Sequence, residues 1–194
     1  SAASDVYKRQ LKYGYGDLLK LNFLFEMSKT NKEVIEILGD LAQSNARYLP
    51  PIIKELSSLC QSSEDVWIRL ESSFQLGLII PNNSLSVNVL VQIVEEADDL
   101  HIKWEGAAAL GIIVAGHLTA LETLLQLAEN ITGDYILYAK ILGSFSMIQP
   151  GLWLKSVISI YKTVRCKFNN YENIALNLDK YNLFWHCAKN LSYP

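Results

Sequence analysis

Cysteine is scarce in this chain, with three in 194 residues, at Cys60, Cys166 and Cys187. An odd, widely spaced set excludes a disulfide framework and points to a reducing compartment, expected to be the cytoplasm. Basic charge is equally thin. Seventeen lysines and arginines against 20 aspartates and glutamates give a formal net charge of −3, so the global footprint of a nucleic-acid binder is missing. There is no long hydrophobic run either. The most apolar stretch, Gly106–Gly116, has 11 residues, whereas a membrane-spanning helix needs roughly 20. Three Asn-x-Ser/Thr sequons, at Asn82, Asn130 and Asn190, are what an asparagine-rich chain holds by chance, so glycosylation is not expected.

Catalytic constellations are missing as well. Gly14-Tyr15-Gly16 begins like a dinucleotide loop, but the third glycine is replaced by Leu19 and no strand precedes it, which leaves a flexible turn. His101, His117 and His186 are scattered, and only Cys166, His186 and Cys187 lie near one another in sequence, too few converging groups for a zinc site. No nucleophile elbow, His-Glu-x-x-His pair or phosphate loop occurs. Glu71 and Glu105 stand 34 residues apart, a register that suits solvated carboxylates better than an acid–base pair. No enzymatic activity, cofactor or metal is expected.

What is present is a hydrophobic half of the chain, with only 19% of residues charged, a balance that excludes disorder and supplies a continuous core. The apolar residues recur at helical spacing and nowhere alternate with period two for long, which predicts an all-α fold. Turn formers break the pattern at Lys29-Thr30-Asn31, Ser44-Asn45, Gln61-Ser62-Ser63, Pro81-Asn82-Asn83-Ser84, Asp98-Asp99, Gly116, Thr132-Gly133, Gln149-Pro150-Gly151 and Asn169-Asn170. Helices of roughly 12 to 18 residues joined by such short turns run antiparallel to their neighbours.

Superimposed on this is a repeat. Leu-Gly recurs at Leu38-Gly39, Leu76-Gly77, Leu110-Gly111 and Leu142-Gly143, at intervals of 38, 34 and 32 residues, the period of a helical solenoid. A shift of 34 lays Ile68, Arg69, Glu71, Leu76, Gly77 and Ile79 on Ile102, Lys103, Glu105, Leu110, Gly111 and Ile113. A glycine inside a helix costs about 1 kcal/mol relative to alanine, so its recurrence after a leucine implies close approach of stacked helices. Ser72, Ser73, Ala107, Ala108 and Ala109 would serve the same end, with Ile68, Leu76, Ile79, Ile102, Leu110 and Ile113 filling the seam. Asp65 and Asp99 open the second helix of their units, where a carboxylate accepts the unpaired amides of the first turn.

The segment Leu49–Ile80 resembles a HEAT repeat, with prolines near the start of its first helix, an acidic turn, and a second helix in which Ile68-Arg69, Ser72 and Leu76-Gly77 take the positions of V-R-x-x-A-A-x-A-L-G. Leu85–Val114 is closer still, through Ile102-Lys103, Ala107, Ala109, Leu110 and Gly111. Flanking units at Asp17–Ala42, Leu118–Phe145, with Tyr138 where a small residue is usual, and Leu152–Leu191, stretched around Lys167–Tyr171, are looser. The resemblance implies an α-solenoid of about five antiparallel helix pairs. It also implies an inter-repeat ladder of acids and bases formed by Asp65, Arg69, Asp99 and Lys103. Residues 1–10, SAASDVYKRQ, resemble a translated sequencing-library adapter, since GAT GTG TAT AAG AGA CAG encodes Asp5 to Gln10. They are set apart from the fold, leaving 11–194 as a single HEAT-like domain, expected to be a truncated fragment whose natural start lies upstream or is missing.

The function such a fold implies is that of a non-catalytic scaffold, a monomer presenting a concave face of second helices to another protein or peptide, not to nucleic acid or a membrane. Arg69, Lys103, Trp104 and Lys140 are the candidate contact residues, because tryptophan and arginine dominate interface energetics. Trp104 aligns with Leu70, on the side away from the seam. It would either anchor a partner or pack on the neighbouring repeat, whereas Trp153 and Trp185 are expected in the core. The segment Tyr171–Tyr193 would cap the solenoid. Two other readings share the resemblance: a phycobilin-lyase-like protein or its chaperone-like subunit holding a tetrapyrrole, and a HEAT protein of the DNA-glycosylase type with a cationic groove. No pocket signature supports the first, and the acids between Arg69, Lys103 and Lys140 oppose the second.

Overall fold

The computed structural model describes residues 18–131 and 134–148. Every regular element among them is helical: α1 (Leu18–Ser28), α2 (Lys32–Ser44), α3 (Leu49–Ser62), α4 (Val66–Ile79), α5 (Ser84–Glu96), α6 (Leu100–Ile113), α7 (Leu118–Asn130) and α8 (Tyr135–Ile148). The all-α expectation is met, with 11 to 14 residues per helix, and the connections fall where turn formers cluster. None of these helices is long and apolar enough to cross a membrane.

Local chemistry sets the even-numbered helices at a fixed interval. Their first residues are 32, 66, 100 and 135, and the residue before each caps it with a side-chain oxygen. Asn31 Oδ1 accepts from Glu33 N at 2.9 Å, Asp65 Oδ1 from Trp67 N at 2.8 Å and Asp99 Oδ1 from His101 N at 2.7 Å. Asp134 Oδ1 accepts from Leu137 N at 2.8 Å. Each cap satisfies an amide that the first helical turn leaves unpaired, and aspartate also faces the positive end of the helix.

The far ends keep the same register. Ile80 N closes α4 on Leu76 O and Val114 N closes α6 on Leu110 O. Two residues further on, Asn82 (φ 59°) and Gly116 (φ 76°) take the left-handed conformation, which glycine adopts freely and asparagine tolerates better than most residues. The odd-numbered helices begin differently: prolines occupy the first turn of α3, and Asn83 caps α5 through Ser86 N at 3.0 Å.

The chain divides into two compact units between Ala97 and Asp98. In the first, α2 packs against α1, α3 and α4, while α5 lies against α3 and α4. Ile35, Leu38, Ile52, Leu56, Ile68, Leu76 and Leu90 are fully buried there, and burying each such side chain contributes roughly 1.5 to 3 kcal/mol. In the second unit α6, α7 and α8 pack on one another around Leu110, Leu124, Leu137 and Ile141. The seam expected from the sequence is deep at Ile68, Leu76 and Leu110 but shallow at Ile79, Ile102 and Ile113, which are only half-buried.

The Leu-Gly glycines turn out not to share one role. At Gly39 of α2 an added Cβ would overlap Gln75 Oε1 and come within 2.7 Å of Gln75 Cδ. Here the missing side chain does let two helices close up. At Gly143 a Cβ would meet nothing within 4 Å, and the residue is exposed. The close-approach explanation therefore fails at Gly143, whose flank is open. Small polar residues mediate other contacts: Ser73 Oγ donates to Arg69 O at 2.7 Å and reaches Cys60 Sγ at 3.4 Å, and Ser86 Oγ on α5 donates to Ser73 O on α4.

Candidate functional site

Of the four candidate contact residues, Trp104 and Lys140 are brought together. Trp104 lies on α6 and Lys140 on α8, within the second unit. The Lys140 ammonium sits over the indole, 4.8 Å from the ring centroid. An exposed cation–π contact of this kind is worth about 0.5–1 kcal/mol. The indole N–H is also held, donating to Ser144 Oγ at 2.9 Å, while that hydroxyl donates to the carbonyl of Lys140 one turn back, also at 2.9 Å. Trp104 thus packs on the next even-numbered helix and remains half-buried. Packing and exposure, opposed as alternatives in the sequence, coexist in one side chain.

At the start of the same helix pair, His101 Nε2 lies 3.7 Å from Asp134 Oδ2, an ion pair when the imidazole is protonated. The N-terminal ends of α6 and α8 therefore meet, and the two helices run parallel, as they must when the short antiparallel α7 connects them. Along α6, Trp104 stands between Leu100 and Ile112, which are about 120° apart around the helix. Leu100 is 48% and Ile112 36% exposed. Along α8, Ile136, Lys140 and Gly143 share one face, and Ile136 is 72% exposed.

The other candidates are placed elsewhere. Arg69 is half-buried on α4 in the first unit, its carbonyl taken by Ser73. Lys103 is half-buried on α6. Asp65 and Asp99, assigned to a ladder with Arg69 and Lys103, direct their carboxylates at backbone amides of their own helices: besides the two short bonds above, Ile68 N lies at 3.4 Å and Ile102 N at 3.1 Å. The charged contacts that form among the described residues include Lys29–Glu26 at 2.8 Å and His101–Asp134. Capping satisfies several amides at once, whereas an exposed ion pair is worth little.

Three features escaped the sequence reading. Asp134 is the fourth cap, legible only as a position 35 residues after Asp99. Ser144 acquires its role from the tryptophan 40 residues away. Lys32 on α2 covers the ring of Trp67 on α4, with Nζ 4.9 Å from the centroid, a second lysine-over-tryptophan contact between successive even-numbered helices. No group of histidine, cysteine, aspartate and glutamate among the described residues converges as a metal site. The Cys60 thiol is buried and pushed up by desolvation, opposed by hydrogen bonds from Ser73 and Ser72, so its thiolate form is disfavoured.

Residues 1–10, Gly14-Tyr15-Gly16, Trp153, Cys166, the Lys167–Tyr171 insertion, the Tyr171–Tyr193 cap, Trp185, His186, Cys187 and Asn190 lie outside the described residues. No known protein family, curated protein or solved structure matches the chain.

Proposed function

We propose that the chain is a HEAT-type α-solenoid acting as a non-catalytic scaffold, with its even-numbered helices as the partner-binding side. The observation that carries the architecture is the recurrence of backbone chemistry at 34 to 35 residues: caps at 31, 65, 99 and 134, closing residues at 80 and 114, and left-handed residues at 82 and 116. Packing between alternate helices within each unit, α2 with α4, α3 with α5 and α6 with α8, is the arrangement expected when helix pairs stack. The binding side is read from the exposed apolar residues of α6 and α8, since large apolar side chains left together at a surface mark interaction sites more often than chance.

A photo-crosslinking amino acid placed singly at Ile112 or Ile136, and at Ser58 or Gln92 on the exposed faces of α3 and α5, tests the assignment. Adducts in the native host confined to positions 112 and 136 support it. Adducts formed only from 58 and 92, or equally from all four, would place the partner elsewhere and sink the reading.

A further inference from the structure

The face of α6 and α8 has a property beyond being apolar. Lys140 stands in the middle of it, between Ile136 and Gly143, and its ammonium rests on Trp104 with no carboxylate of the described residues paired to it. A partner that covers Leu100, Ile112 and Ile136 must also cover this ammonium. Cation–π contact alone compensates only part of the solvation that is lost, and a desolvated charge left without a counter-charge is strongly unfavourable. A purely apolar partner is thus disfavoured by the same surface that would attract it.

Resting on the scaffold reading above, we infer that the occupant of this face is an amphipathic helix of a partner protein carrying a carboxylate between apolar side chains, the carboxylate pairing with Lys140. Two parallel helices leave a channel between their ridges that suits a third helix, a common mode of peptide recognition. Gly143 provides room, because nothing lies within 4 Å of where its Cβ would be. From Leu100 to Ile112 the face spans about 18 Å at 1.5 Å per residue, so roughly three turns of partner helix would cover it. The carboxylate belongs opposite Lys140 and Trp104, with an apolar residue one turn away meeting Ile136 and another two turns away on the other side meeting Ile112.

The test uses the full chain and three fluorescein-labelled, lactam-stapled peptide helices that carry Leu four residues before X and a second Leu seven residues after it, with X as Glu, Gln or Lys. Anisotropy titration at low salt is expected to rank Glu above Gln by about tenfold, with Lys weakest, because electrostatic complementarity decides between otherwise equal partners. Lys140→Glu should reverse the order in favour of the Lys peptide, and Ile136→Ser should weaken all three. Both variants change exposed positions, so a circular dichroism spectrum identical to the parent's is expected. Equal binding of the Glu and Gln peptides, no binding of any peptide up to about 1 mM (about −4 kcal/mol), or an order unchanged by Lys140→Glu would each overturn the inference. Crosslinks from positions 112 and 136 alongside any of these results would leave the scaffold reading standing and remove only the acidic helix.

Discussion

Gly39 and Gly143 occupy equivalent places in the Leu-Gly pattern and are expected to respond oppositely to the same change. Gly143→Ala adds a methyl group into open space and should stabilise by up to about 1 kcal/mol through helix propensity alone. Gly39→Ala gains the same propensity but must displace Gln75, breaking its 2.9 Å bond to Glu71 Oε1. A net loss of about 1 kcal/mol is expected, since strain and a lost hydrogen bond outweigh propensity. Urea unfolding of both variants, and of Gly39→Ala in a Gln75→Ala background, checks this. If Gln75→Ala fails to relieve Gly39→Ala, the contact is not the cause. Tyr138 offers a second residue-scale test. Burial pushes its phenol from 10.0 up to about 12, so between those values the unfolded chain ionises there first. Its contribution to stability is complete below pH 10 and is lost as pH rises toward 12. Tyr138→Phe should therefore lose less melting temperature than the parent between pH 9 and about pH 11; parallel curves would mean that the phenol is not held neutral by the fold.

The helix is the scale at which sequence and structure agree best. Asn31, Asp65, Asp99 and Asp134 each close the first turn of an even-numbered helix, and replacement of such a cap by alanine typically costs about 1 kcal/mol. Asp134→Ala is expected to cost as much as Asp65→Ala or Asp99→Ala in thermal unfolding, although only the latter two announce themselves by an aligned motif. A negligible effect at 134 would show that α8 does not depend on its cap. Helicity, most turns and the caps at Asp65 and Asp99 were legible because they depend on residues within about four positions of one another. The depth of the seam was not. Ile79, Ile102 and Ile113 repeat the pattern of Ile68 and Leu110, yet remain half-buried because the extent of burial depends on which helix lies opposite.

For the molecule as a whole, the proposed stack of helix pairs has an energetic consequence, because repeats contact only their neighbours and damage stays local. Leu56→Ala in the first unit and Leu124→Ala in the second each remove a fully buried side chain, at an expected cost of about 2–5 kcal/mol. Amide hydrogen exchange should then quicken chiefly in α3 to α5 for the first and in α6 to α8 for the second. Uniform loss of protection along the chain in both variants would mark a single cooperative core and count against stacking.

Helix content, the 34-residue interval and the capping aspartates follow from the order of residues along the chain, because amides, carboxylates and turn conformations act over a few bonds and a few ångströms. Which glycine is crowded is settled only when α4 is laid beside α2, and which side of Trp104 is covered and how Lys140 comes to rest on it only when α8 is laid beside α6. Those contacts join residues 36 and 40 positions apart, a separation over which backbone chemistry carries no information and packing decides.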